Sequence, residues 1–162
     1  MRKQNPKAHE DIVLLGYRFS FIQSLIPECD KFGHAIKYYP QNEYRRNRKL
    51  HKHGNGAFCR FNINAGNVAG VYLLVSNDEL LYIGQTCNIN QRFNNSRFGS
   101  YGFITPVACY AGGQMTNCKI NKLVLKYFEE RPPIQLYFLP TSRHKEIERF
   151  LLSHISTLFN EK

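Results

Sequence analysis

The stretch Gly70-Val71-Tyr72-Leu73-Leu74-Val75-Ser76-Asn77-Asp78-Glu79-Leu80-Leu81-Tyr82-Ile83-Gly84 decides the fold. Two apolar, β-branched runs flank a turn-prone Ser76-Asn77-Asp78, which predicts strands over about 69–76 and 79–85 joined as a hairpin with one tyrosine on each strand. For Tyr72 and Tyr82 to stand side by side they must pair directly. That register sets Val75 opposite Glu79 and leaves Ser76-Asn77-Asp78 as a three-residue loop. A two-residue loop would send the tyrosines to opposite faces, because side chains alternate along a strand.

Downstream of the hairpin, the spacing predicts a short helix from Asn88 to about Asn95, carrying Arg92 ten residues after Tyr82. A glycine-punctuated segment follows (Gly99, Gly102, Gly112, Gly113). Thr116 is the expected cap of a helix over about 117–130, with Ile120, Leu123, Val124, Tyr127 and Phe128 on one face. Pro132-Pro133 ends it, and Ile134 to Leu139 reads as a third strand. Thr141 or Ser142 then caps a last helix, about 143–158, with Ile147, Phe150, Leu151, Ile155 and Leu158 as its apolar face. Upstream, residues 1–10 read as a frayed tail. Asp11 caps an expected helix over about 12–25, where Ile12, Leu15, Phe19, Ile22 and Leu25 or Ile26 recur at helical spacing, and Pro27 ends it. Residues 28–67 are turn-rich, basic and aromatic. The order implies an α/β (α+β) sandwich, a short central sheet flanked by helices, with an N-terminal helical and irregular basic extension. Residues 1–67 would be the helix and basic arm, and 68–162 the core.

The 162 residues are enough for one domain with a real core, and 43% hydrophobic content excludes a disordered chain. The longest apolar runs are too short to span a bilayer, and Met1 to Glu10 lacks the apolar core of a signal peptide, so a cytoplasmic protein is expected. Five cysteines (Cys29, Cys59, Cys87, Cys109, Cys118) without a CxxC pair read as reduced thiols. The net charge of +10 is concentrated between Lys31 and Arg60, where Lys31, Lys37, Arg45, Arg46, Arg48, Lys49, Lys52 and Arg60 face a single acid, Glu43. Such clustering suits a polyanion, since each neutralised phosphate releases counterions, although a solvated basic loop would look the same. His51 and His53 form an HxH that reads better as part of this arm than as a metal site.

Phosphodiester hydrolysis needs an activated water, charge stabilisation at phosphorus and help for the leaving oxygen. A phenol pair, an arginine and one carboxylate can supply these with a single divalent metal. Taken singly, Tyr72 or Tyr82 is more often a half-buried strand tyrosine, and Arg92 or Glu148 a solvated helix residue. Glu146 competes with Glu148, which the twelve-residue step to Asn160 and the adjoining apolar face favour. In 112–119, a Gly-rich chain opening a helix can approach phosphate closely, and Gln114, Asn117 and Lys119 have side chains that read base edges.

The strings GVY and YIG, with Gln85-Thr86, Arg92 and the segment Glu148 to Asn160, resemble the GIY-YIG nuclease family over about residues 68–160. Segment 112–119 resembles one found in the type II restriction endonucleases of that family. The resemblance implies a metal-dependent phosphodiesterase that cuts double-stranded DNA site-specifically, with Mg²⁺ (or Mn²⁺) held by Glu148. It also implies that Arg92 clamps the phosphoryl group bidentately, as lysine would do less well. Tyr72 becomes the candidate general base, which requires its pKa to be depressed. Tyr82 would position water or phosphate, with Gly84 and Asn160 as structural support, Asn160 bracing the catalytic helix. The family often has a histidine or tyrosine just after the arginine, where Asn94, Asn95 and Ser96 stand here. His144, one turn before Glu148, reads as a helix-cap neighbour. Arg45, Arg46, Arg48, Lys49, Lys52, Gln114, Asn117 and Lys119 are the expected DNA contacts. A symmetric double-strand cut implies a homodimer. The alternatives are a homing, mobile-element or repair nuclease, or a non-catalytic nucleic-acid-binding module on the same scaffold.

Overall fold

The computed structural model describes residues 9–43 and 47–161, so Arg45 and Arg46 lie outside the described residues. The fold is mixed α/β: a five-stranded antiparallel sheet in the order β1-β2-β5-β3-β4, with helices on both faces. Among the described residues no helix is long and apolar enough to cross a membrane.

Residues 12–24 form strands, not the expected helix. β1 (Ile12–Leu14) and β2 (Tyr17–Ser24) pair with Leu14 opposite Tyr17, around Leu15-Gly16, both at positive φ (47° and 86°). Such mirror-image two-residue turns match the twist of a tight hairpin. Phe19, which fits the helical spacing, also falls in the alternation Tyr17, Phe19 and Phe21. Period two wins because β2 gains β5 (Gln135–Pro140) as a neighbour and buries Phe19 completely. The N-terminal segment is therefore part of the central sheet.

β3 (Gly70–Ser76) and β4 (Glu79–Thr86) form the expected hairpin, but in another register. Ser76 pairs with Glu79 across a two-residue Asn77-Asp78 turn, with φ of 50° and 61°. The ladder then shifts, with Val75 opposite Leu80 and Leu74 opposite Tyr82, so Leu81 is an inserted bulge residue. Tyr72 consequently faces Gly84, not Tyr82. The bulge restores the parity that a two-residue loop would have broken. Both tyrosines stay on one face as diagonal neighbours, their rings 6.3 Å apart.

That face is covered by α1 (Ile89–Asn94) and α2 (Met115–Glu130), whose Ile89, Phe93, Ile120 and Val124 pack on Tyr72, Leu74, Leu136 and Phe138. The opposite face is covered by α3 (His144–His154), through Ile147 and Leu151 against Val71, Leu73, Ile83, Tyr137 and Phe19. Each such aliphatic side chain contributes roughly 1.5–3 kcal/mol by burial, which fixes α3 against the sheet. Asn88 caps α1 by accepting from the Gln91 N–H. α2 starts two residues before the expected boundary, and Gln114, not Thr116, occupies its cap position. α3 ends at His154, not 158. The β-branched Ile155 and Thr157 leave the helix, Phe150 and Leu158 stay exposed, and the chain returns along β4, where the Phe159 N–H donates to the Leu81 carbonyl.

Candidate active site

The inner half of the site grows from two glycines. A Cβ on Gly84 would overlap the ring and hydroxyl of Tyr72 lying across it, and one on Gly70 would overlap Phe138. The YIG glycine is thus the space into which Tyr72 fits. Tyr72 is buried, packed edge-on against Phe93 and Tyr101 at centroid distances of 5.4 and 6.0 Å. Its hydroxyl meets that of Tyr101 at 2.5 Å, and Arg92 Nη2 donates to the same Tyr101 hydroxyl at 2.8 Å. The Arg92 guanidinium also lies over the Tyr101 ring, 4.4 Å from its centroid, and its Nε is buried without a hydrogen-bond partner. Tyr82, only half-buried, completes a group of three phenols and one cation.

Burial dominates the protonation of this group. It pushes Tyr72 up to about 12, against the lowering effect of Arg92. Burial also raises Tyr101 and Tyr82, the latter helped by the Tyr101 hydroxyl and the Glu148 charge. Burial opposes the charge of Arg92, but the phenol oxygens of Tyr72 and Tyr101 more than offset this, so Arg92 remains a cation. A base role for Tyr72 required a depressed pKa. Its burial, its engaged hydroxyl and the upward shift make it a poor acceptor of a proton from water.

The outer half lies along β4, an edge strand whose Ile83 and Gln85 turn backbone groups away from β3. Asn160 satisfies both at Ile83: its Oδ1 accepts the N–H and its Nδ2 donates to the carbonyl, each at 2.8 Å. Asn160 thus braces the strand between Tyr82 and Gly84, and not the helix. At Gln85 the backbone N–H is turned to the Glu148 carboxylate. Burial raises the pKa of Glu148, and that N–H and the Arg92 and Arg149 charges pull it back only in part. Glu146 instead pairs with Arg143 at 2.9 Å on the exposed side of α3 and is excluded from the site. His144 meets Gln85 through Nδ1 and Oε1, 2.6 Å apart. An amide oxygen only accepts, so Nδ1 carries the hydrogen and Nε2 keeps its lone pair.

Beside Arg92 opens a cleft of about 550 Å³ between α1 and the start of α2, lined by Thr86, Gln91, Arg92, Ser100, Gln114 and Asn117 among others. Segment 112–119 and the arginine therefore share one depression. Gln114 is exposed, but Asn117 is buried and donates to Gln114 Oε1, so the pair is internally engaged. Lys119 points elsewhere: its ammonium donates to the Phe159 carbonyl and lies 4.0 Å from Glu161, holding the C-terminal segment. Its expected role in reading bases does not fit this position.

The basic arm docks next to the same cleft. Leu50 bridges to Tyr110, and the Ala111 N–H donates to the Lys49 carbonyl. Arg48 and Lys49 are exposed and form no ion pair with the described residues. Other members of the cluster have structural work: Lys37 pairs with Glu129, Lys52 with Glu161, and Arg60 lies between the rings of Tyr38 and Phe103. His51 donates through Nε2 to the Ala108 carbonyl and accepts the His53 N–H at Nδ1, which leaves it no lone pair for a metal. All five cysteines are free thiols.

Among the described residues no group of three His, Cys, Asp or Glu is gathered. A Mg²⁺ that keeps most of its waters needs only one or two carboxylates besides substrate phosphate, and Glu148, half-buried beside the edge strand, fits that sparse demand. Sequence reasoning passed over Tyr101 and undervalued His144 and Gln85. The one local signal for Tyr101 is its tight setting in Gly99-Ser100-Tyr101-Gly102. The chain matches no family model, no curated protein and no solved structure.

Proposed function

We propose that this chain is a metal-dependent phosphodiesterase that cuts double-stranded DNA on the GIY-YIG plan its sequence resembles. One observation carries the reading. Tyr72 of β3, Tyr82 of β4, Arg92 of α1 and Glu148 of α3, widely spaced in sequence, converge around the Gly84-Gln85 end of an edge strand. A structural origin would not require a half-buried arginine held by phenols to stand close enough to a half-buried carboxylate for its charge to act on it.

In this reading Arg92, fixed by Tyr101 and Tyr72, offers its remaining N–H groups to the non-bridging oxygens of the scissile phosphate. Tyr82, kept protonated, donates a hydrogen bond to the phosphate or to the attacking water. Glu148 would hold Mg²⁺, and such an ion would supply Lewis-acid stabilisation of charge developing on the phosphoryl group. His144 Nε2, left with its lone pair by the Nδ1 contact to Gln85, is the acceptor for the proton of the attacking water. Arg48, Lys49 and the neighbouring basic residues hold the flanking backbone. Gln114 and Asn117 line the same cleft as Arg92, which favours a type II restriction enzyme acting as a homodimer in the cytoplasm. The test is incubation with plasmid DNA and Mg²⁺, with Glu148→Ala alongside. Discrete fragments that the variant does not produce are expected. Binding without cleavage in either Mg²⁺ or Mn²⁺ would overturn the enzyme reading.

A further inference from the structure

Phe98 is 67% exposed, yet the backbone that carries it is held on both sides. The N–H groups of Arg97 and Phe98 both donate to Asn95 Oδ1, at 3.0 and 2.9 Å, and the Phe98 carbonyl accepts from Gln114 Nε2 at 2.9 Å. Gly99 follows at φ 91°, a conformation that turns the chain sharply and in which a side chain would be strained. A large apolar ring held in water on a fixed loop carries a hydration cost that the loop relieves only where Arg97 lies over it.

The surroundings suit one class of partner. Phe98 lines a depression of about 380 Å³ with Asn90, Asn94, Asn95 and Arg97, and Gln91 belongs both to that depression and to the Arg92 cleft, where Gly99 and Gln114 also lie. Arg97 lies over the Phe98 ring, 5.0 Å from its centroid. Residues 80–128 contain no Asp or Glu at all. An aromatic face, a guanidinium and a row of uncharged amides, free of carboxylates, is the chemistry that stacks on nucleobases and bonds their edges. The core of a protein interface would instead be continuously apolar.

We propose that Phe98 is a stacking wedge, which packs against a base of the bound DNA next to the phosphate held by Arg92. This rests on the nuclease reading. On the scale of side-chain stacking on bases, Phe98→Ala should weaken DNA binding by roughly five- to a hundredfold. Because the lost contact is not ionic, the slope of log affinity against log salt should stay unchanged.

The chain contains no tryptophan, so Phe98→Trp introduces a sole indole reporter. The full-length variant is titrated with plasmid DNA in EDTA, with binding followed independently by filter retention. Quenching of the emission in step with retention is the expected result. Retention with unchanged emission overturns the wedge while leaving the nuclease reading intact. No retention at all removes both. An emission change on raising protein concentration without DNA, together with dissociation of Phe98→Ala dimers in sedimentation, assigns the ring to contact between copies and also overturns the wedge.

Discussion

The two sides of β4 solve opposite problems. On the inner side, Tyr72 and Tyr101 are packed so tightly that burial holds them protonated, their oxygens hold Arg92 as a cation, and a missing Cβ at Gly84 makes room for the Tyr72 ring. On the outer side, Glu148 and His144 of α3 sit half-exposed beside Gln85 of the edge strand, where a water, an ion or a phosphate can still reach them. The inner side holds a fixed positive charge and donors, and the outer side keeps the groups that must exchange a proton or a ligand. A phosphodiester cleaved at the Gly84-Gln85 end would draw on both.

Breaking the inner side is expected to have the largest effect. Arg92→Ala should lower cleavage of plasmid DNA by about a thousandfold, the scale on which a preorganised donor to a developing oxyanion acts. Arg92→Lys should recover little, since an ammonium cannot reproduce the guanidinium fork. Equal loss in both variants, measured as single-turnover rates at saturating metal, would indicate that geometry and not charge is what Tyr101 holds in place.

Breaking the outer side should separate activity from stability. Glu148→Gln should reduce cleavage about a hundredfold or more and yet slightly raise Tm at pH 7, by roughly 1–2 °C. The sign follows from burial, which raises the carboxyl's pKa in the native state, so the folded protein favours the protonated form. The associated stability is complete below the ordinary carboxylate range and is lost as pH rises through the raised value. The Tm difference should therefore vanish near pH 4, and calorimetry at the two pH values decides the matter.

Gly84→Ala tests the packing that joins the two sides. Its Cβ would strike the Tyr72 ring, and overpacking of this kind costs about 3 kcal/mol, roughly 6–12 °C in Tm for a chain this size. In the double variant Tyr72→Leu/Gly84→Ala much of that loss should be absent, because the ring that clashes is gone. Additive losses in thermal unfolding would show that Gly84 serves the backbone alone.

What was legible in the sequence depended on whether a residue's meaning was local. Tyr72, Tyr82, Arg92 and Glu148 could be named because each sits at a recognisable offset within a strongly patterned segment. Tyr101 could not, since its importance comes from its contacts with Tyr72, across 29 residues, and with the Arg92 guanidinium. The same limit explains the N-terminal strands. Ile12, Leu15 and Phe19 satisfy a helical period, and only the availability of β5 as a partner makes the alternation in Tyr17-Arg18-Phe19 decisive. The hairpin register failed for a different reason: loop length was read correctly as controlling parity, but one inserted residue, Leu81, resets parity without leaving a mark in composition.

The smallest effect concerns the support of the outer side, and it is where the resemblance and the geometry differ most. Asn160 was expected to steady the helix bearing Glu148, but its amide satisfies both backbone groups of Ile83 on the open edge of β4. Asn160→Ala leaves one N–H and one C=O of that edge to find water, a loss of about 1–3 kcal/mol. Because Tyr82 and Gly84 flank Ile83, the strand would loosen next to the site while α3, held by Ile147 and Leu151, stays in place. Hydrogen exchange should therefore rise at Ile83 and its neighbours and remain slow in α3. Cleavage should fall only a few-fold, through weaker placement of Tyr82, with Mg²⁺ dependence unaltered. Faster exchange in α3, or a shifted metal requirement, would return Asn160 to the helix and make the outer side a single unit with Glu148.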